Sequence, residues 1–117
     1  MLNEQQSAPD FTLPDETGTE RSLQAEAGKW VVIYFYPKDD TPGCTKEACA
    51  IRDIYDEFAA LGVTVFGVSK DSVDSHAKFK EKYQLPFALL SDETGEMIEQ
   101  YGARQEKSSF GKTYVGI

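Results

Sequence analysis

The sequence predicts an α/β fold, with a central, mostly parallel sheet, helices on both faces and a β-hairpin near the N-terminus. Three observations predict it. Two apolar runs, Trp30 to Tyr36 and Val63 to Ser69, are dominated by β-branched and aromatic residues, the pattern of strands buried on both faces. Each is followed by a polar turn and then by apolar residues at helical spacing, so strand and helix alternate. Upstream, Phe11-Thr12-Leu13 and Thr19 to Leu23 flank the turn-forming run Pro14-Asp15-Glu16-Thr17-Gly18, which reads as a hairpin.

Gly28-Lys29 leads into the first long strand, and Pro37 ends it. From Cys44 to Leu61 the spacing predicts one helix, with Ala48, Ile51, Ile54, Tyr55, Phe58 and Leu61 on a shared face and Gly62 as its stop. Asp71 or Ser72 caps a helix from Val73 to Tyr83 that turns Ala77, Phe79 and Tyr83 inward. Leu85 to Leu90 is a short strand interrupted by Pro86. Asp92 or Thr94 caps a last helix through Tyr101, stopped by Gly102, and Gly111 to Ile117 reads as extended or irregular. A right-handed crossover lays the Cys44 helix over one face of the sheet. Its start then lies at the carboxyl end of a strand, where open α/β sheets bind ligands. With Gly116-Ile117 the sequence given stops, so the far edge of the Trp30–Tyr36 strand is expected to be uncovered. Residues 1–117 are expected to form a single domain, incomplete at its C-terminal end.

Composition narrows the function. The chain has 117 residues, enough for one core, and 40% hydrophobic with 27% charged residues is ordinary for a soluble globular protein. A net charge of −8 disfavours nucleic acid and an anionic membrane surface as partners. Met1 to Gln6 has no basic start followed by an apolar core, and no apolar run approaches the ~20 residues that span a bilayer. Two cysteines without a visible signal favour a reducing compartment, here the cytoplasm, and a functional pair over a structural staple.

Those cysteines, Cys44 and Cys49, carry the chemistry. They lie in Pro37-Lys38-Asp39-Asp40-Thr41-Pro42-Gly43-Cys44-Thr45-Lys46-Glu47-Ala48-Cys49. A cysteine at a helix start meets unpaired backbone N–H groups and the positive end of the helix dipole, which favour the nucleophilic thiolate. The Thr41 hydroxyl can approach that sulfur or serve only as a cap, and Thr45 reads only as a candidate cap. Pro37 stiffens the loop, and its ring can limit water near the sulfur. Cys49 reads either as a second reactive sulfur or as a small residue on the core side. Five residues of helix amount to ~7.5 Å of rise and ~140° of net rotation, so the two sulfurs diverge. A disulfide needs Cα atoms within ~7 Å and converging Cβ vectors, so an intact helix forbids this one, and the first turns must unwind if the pair cycles.

Other chemistries fit poorly. Structural zinc wants four ligands, and the chain offers two cysteines and one histidine, His76, which reads as a solvated surface residue. The pair has four intervening residues, not the two of a C-x-x-C oxidoreductase. Gly28-Lys29 and Gly111-Lys112-Thr113 lack the context of a phosphate loop. Asp39, Asp40, Glu47 and Asp53 read as a solvated face, with Glu47 and Arg52 near enough to pair.

The spacing Pro37-x-x-x-Thr41-x-x-Cys44 resembles the active-site signature of the peroxiredoxins. The extension Cys44-Thr45-Lys46-Glu47-Ala48-Cys49-x-x-Arg52-Asp53 is similar to their bacterioferritin-comigratory-protein, or PrxQ, branch. Ala8-Pro9-Asp10-Phe11-Thr12-Leu13-Pro14-Asp15, Ile33-Tyr34-Phe35-Tyr36-Pro37, Gly67-Val68-Ser69-x-Asp71 and Leu89-Leu90-Ser91-Asp92 extend the resemblance along the whole chain. It implies a thioredoxin-like fold and a thiol peroxidase acting on hydrogen peroxide or organic hydroperoxides, without metal, haem or flavin. Cys44 would be the peroxidatic cysteine and Cys49 the resolving one, joined in an intramolecular disulfide that thioredoxin or a similar dithiol protein reduces. Thr41 would orient the peroxide and Pro37 would shield the site. The branch also implies a monomer and a supporting arginine shortly past the position of Ile117; Arg104 lies too early to match it. On this reading the C-terminal strands and last helix of the family are missing. An inactive, partner-binding fragment that self-associates through an uncovered sheet edge is then the alternative, and a disulfide-exchange protein that ignores peroxide is a third.

Overall fold

The computed structural model describes residues 10–101 and the backbone of 113–116. Its elements in chain order are β1 (Thr12–Pro14), β2 (Glu20–Ser22), a 3-10 turn (Gln24–Glu26), β3 (Val31–Phe35), α1 (Pro42–Asp53), α2 (Tyr55–Ala60), β4 (Thr64–Ser69), α3 (Val73–Tyr83), β5 (Ala88–Ser91), α4 (Glu96–Gln100) and β6 (Thr113–Gly116). β1 and β2 pair antiparallel as the expected hairpin. Its turn is held by the buried Asp15 carboxylate, which accepts from Thr17 N at 2.8 Å and Thr17 Oγ1 at 2.6 Å.

The main sheet has the order β5-β4-β3-β6. β4 lies parallel to both β3 and β5, so the two apolar runs sit side by side at its centre. The side chains of β3 alternate between faces as the pleat requires. Val31, Ile33 and Phe35 join Phe11, Phe66, Val68, Leu90, Met97, Ile98 and Tyr101 on the face covered by the hairpin and α4. Tyr34 and Tyr36 point the other way, with Cys44, Ala48, Val65, Phe79, Phe87 and Leu89, under α1 and α3. Gly67 of β4 is required by that second layer: a Cβ there would stand 2.9 Å from the Tyr34 ring.

Several expectations are corrected. The far edge of β3 is not uncovered: β6 pairs antiparallel with it, Val31 opposite Gly116 and Tyr34 opposite Thr113. The local pattern of 113–116 allowed an extended strand, but pairing with a strand some 80 residues earlier is set by tertiary structure and leaves no local signal. β5 and β6 are therefore the sheet edges among the described residues. The helix expected from Cys44 to Leu61 starts two residues earlier and breaks at Ile54, whose φ of −111° and ψ of 9° leave the helical region. The break resets the exposed face, so Tyr55 and Phe58 still pack inward while Ile54 and Leu61 face solvent. Ser72 is the cap of α3, its Oγ accepting from Ser75 N at 3.1 Å. Both candidates serve α4: Asp92 carboxylate oxygens accept from Ile98 N at 2.9 Å and Met97 N at 3.4 Å, and Thr94 Oγ1 accepts from Glu96 N at 3.3 Å. Gly102, Arg104 and residues 1–9 lie outside the described residues.

Candidate functional site

β3 ends at the sheet's carboxyl edge, and 37–41 turn the chain into α1. Pro42 occupies the first helical position, where its missing N–H and fixed φ suit a helix start. Thr41 takes the cap position in extended backbone, and its carbonyl accepts from Thr45 N at 2.8 Å. Its hydroxyl does not cap. Thr41 Oγ1 donates instead to the Lys38 carbonyl at 2.9 Å, which stitches the loop and leaves the amides of the first turn unused by that side chain. Cys44 is the third helical residue, buried at 8% exposure. Its backbone N–H and that of Gly43 lie in the turn where no intrahelical acceptor exists.

The structure thus brings Thr41 and Cys44 into one turn, with Pro37 exposed at the strand end of the same loop. Cys49 lies further along α1, partly buried, and both thiols are free. The helix is continuous over both, so the divergence of the sulfurs expected from helical spacing holds here. Glu47 lies one turn beyond Cys44, and burial pushes its carboxyl up from the ordinary value. Beneath the helix, burial first, then the charges of Glu47, Asp39 and the two cysteines, drive the Tyr34 phenol far up, so it stays protonated. Among the described residues, Tyr34 Oη is the buried side-chain polar atom without a hydrogen-bond partner.

Two residues read as solvated are instead buried beneath this loop. His76 has no exposed surface, and Asp39 is 7% exposed. His76 Nε2 faces the Leu90 carbonyl at 2.9 Å, and a carbonyl only accepts, so Nε2 carries a hydrogen. His76 Nδ1 meets Asp39 Oδ2 at 2.7 Å, a contact that needs one more hydrogen, on the ring or on the carboxyl. Asp39 also accepts from Tyr36 Oη at 2.6 Å and Ser75 Oγ at 2.8 Å, while its own N–H donates to Asp71 Oδ2 at 2.8 Å. Ser69 Oγ donates to the same Asp71 oxygen at 2.6 Å. The loop is thereby tied to the ends of β3 and β4 and to the start of α3. The ligand-type atoms of Asp39, Asp71 and His76 lie within 4.8 Å of one another, but those of the histidine and both carboxylates are already engaged in these bonds. They form a hydrogen-bonded network.

A signal for His76 existed in the sequence. It lies three residues before Phe79 and seven before Tyr83, the spacing of one helical face, and its polar type hid the pattern. Asp40, next to the buried Asp39, is exposed as expected. Glu47 does not pair with Arg52. Arg52 Nε meets Asp53 at 3.1 Å and Arg52 Nη1 donates to the Tyr83 carbonyl at 2.8 Å. The clefts nearest the hairpin, one against α4 and one against Lys80 and Phe87, lie apart from Cys44.

Against known proteins, the AhpC/TSA family model matches residues 5–115. A Bcp peroxiredoxin sequence of Coxiella burnetii is 56% identical over 112 residues, covering 96% of this chain and 74% of that protein. Peroxiredoxin Bcp of Bacillus subtilis is 48% identical over 112 residues, covering 96% of this chain and 71% of its own. The bacterioferritin comigratory protein of Xanthomonas campestris, a structure described for its alkyl peroxide reduction activity, superposes with a TM-score of 0.80 at 41% identity. That match covers 92% of this chain and 68% of the other.

Proposed function

The chain belongs to the AhpC/TSA family, as a thiol peroxidase of the Bcp and PrxQ kind, and from that premise we propose that Cys44 is its peroxidatic cysteine and Cys49 its resolving one. The observation that carries the reading is the placement of Cys44 in the first turn of α1, behind a threonine whose hydroxyl leaves the turn's amides free. The Cys44 thiolate attacks one oxygen of the peroxide O–O bond. An S–O bond forms, the O–O bond breaks, and the leaving oxygen takes a proton to depart as water or an alcohol. Donors fixed in the fold, the Gly43 and Cys44 amides, face charge developing there without having to reorganise. Thr41 orients the peroxide, and Pro37 limits water at the loop.

The first turns of α1 then unwind, and the Cys49 thiolate attacks the sulfenic sulfur. The S–S bond forms and hydroxide leaves as water. A dithiol protein of the thioredoxin type returns both thiols by giving up two electrons. Hydrogen peroxide and organic hydroperoxides are the substrates. No helix among the described residues is long and apolar enough to cross a membrane, and we place the enzyme in the cytoplasm, where thiols stay reduced.

The test is stoichiometric. One equivalent of hydrogen peroxide added to reduced protein consumes both thiols and yields an intramolecular disulfide, read by thiol titration and intact mass. Cys44→Ser removes the reaction; peroxide consumption by that variant at the parent rate would reject the assignment.

A further inference from the structure

The cysteines share a helix that must unwind before they can meet, so whatever holds that helix wound controls how they meet. Both flanks of the segment 41–51 are held by the end of α3. Behind it, the Tyr83 carbonyl accepts from Arg52 Nη1 at 2.8 Å. Ahead of it, the Asp40 carboxylate accepts from Tyr83 Oη at 2.7 Å and Lys82 Nζ at 2.8 Å. The Lys82 ammonium sits 5.2 Å from the centroid of the Tyr83 ring, which arranges the two donors around one carboxylate. Asp40 itself has φ of 57°, a left-handed conformation uncommon outside glycine, asparagine and aspartate, so its backbone conformation needs support.

The two neighbouring anchors differ in kind. Asp39 is locked in the buried network. The Asp40 contacts lie at the surface, with 43% and 58% of the Asp40 and Lys82 side chains exposed. Exposed pairs are weak enough to open and close within the folded protein.

We propose that Asp40, Lys82 and Tyr83 form a latch: positioning residues that keep the first turn of α1 wound and set the rate at which Cys49 reaches Cys44. Closed, the latch holds Cys44 in the first turn for attack on peroxide. Open, it releases the loop and turn while Asp39 stays anchored, so the rest of the fold is retained. The proposal rests on the assignment of Cys44 and Cys49 made above. It adds no chemical step. It governs the one in which the Cys49 sulfur displaces hydroxide from the Cys44 sulfenic acid.

The experiment follows the full chain through a single turnover by rapid quench with hydrogen peroxide, separating sulfenic acid formation from disulfide formation. It is paired with amide hydrogen exchange of α1 in the reduced protein. Tyr83→Phe deletes only the hydroxyl, and Lys82→Met only the charge. In each, the ratio of the joining rate to the sulfenic acid rate rises about threefold, the scale of one exposed hydrogen bond. Amides 45–48 exchange faster by a similar factor while those of β4 do not change, and Lys82→Arg restores the parent ratio. Parent values for both ratio and exchange in Tyr83→Phe and Lys82→Met would overturn the latch. A parent chain that consumes peroxide without joining its thiols would instead reject the role of Cys49, and the exchange of α1 would then decide the latch alone.

Discussion

Removing the His76 ring tests whether the buried network holds the loop ahead of Cys44. In His76→Leu a side chain of similar bulk fills the site, but two groups lose their partners. The Leu90 carbonyl loses its 2.9 Å donor, and Asp39 Oδ2 loses the 2.7 Å contact while keeping Ser75. Neither site opens to water, since His76 is fully buried and Asp39 nearly so. A buried polar group that loses its partner costs about 1–3 kcal/mol, and two groups lose one here, so the expected loss is about 2–5 kcal/mol in all. Arg52→Ala and Asp53→Ala remove one side or the other of an exposed pair. The Arg52–Asp53 contact itself is worth about 0–1 kcal/mol, and Asp53→Ala isolates it. Urea unfolding of the reduced protein at neutral pH measures all three variants. A His76→Leu loss no larger than that of Asp53→Ala would refute the reading of this network as what fixes the loop.

Three further outcomes follow. Gly67→Ala puts a Cβ 2.9 Å from the Tyr34 ring in a packed layer; overpacking costs about 1–3 kcal/mol, read as a lowered melting temperature, and Tyr34→Phe does not relieve it because the ring carbon is as close as the oxygen. Asp15 is pushed up by burial, but hydrogen bonds from Thr17, Arg21 and Thr19 outweigh this and lower it. A carboxyl lowered on folding stabilises above the unfolded value, near ~3.9, and loses that contribution as pH falls through the folded one. The stability gap between the parent and Asp15→Asn, from unfolding curves, is therefore full at pH 7 and shrinks below about pH 4. Ser72→Ala removes the α3 cap at a cost of about 1 kcal/mol, measured by the same unfolding curves.

How legible these features were depended on whether their cause was local. β3 and β4 were readable because continuous β-branched runs have few other uses, and the Ser72 cap because the N–H it accepts from lies three residues away. That a helix opens near the cysteine was readable from the polar turn before it, but its start was read two residues late, because Pro42 at the first helical position was not counted as a start signal. The break at Ile54 was not, because its apolar residues keep helical spacing on both sides and only the packing shows that Ile54 faces water. β6 was hidden for the opposite reason, its pairing with β3 being wholly non-local. Asp39 and Asp40 make the point most sharply. They are adjacent carboxylates of the same chemistry; one is buried against His76 and the other is held at the surface by Lys82 and Tyr83. What separates them is where α3 returns, 36 to 43 residues later, and no local pattern carries that.

The account stands on Cys44 being made reactive by its place in the folded first turn. The most direct measurement uses Cys49→Ser, in which the oxidised sulfur is not resolved. Its sulfenic acid is trapped with a dione and mapped by peptide mass, in buffer and in urea sufficient to unfold the chain. The account predicts the adduct on Cys44, formed at least about tenfold faster in the folded protein, which corresponds to about 1.4 kcal/mol of transition-state stabilisation. Equal rates in the two conditions would contradict it.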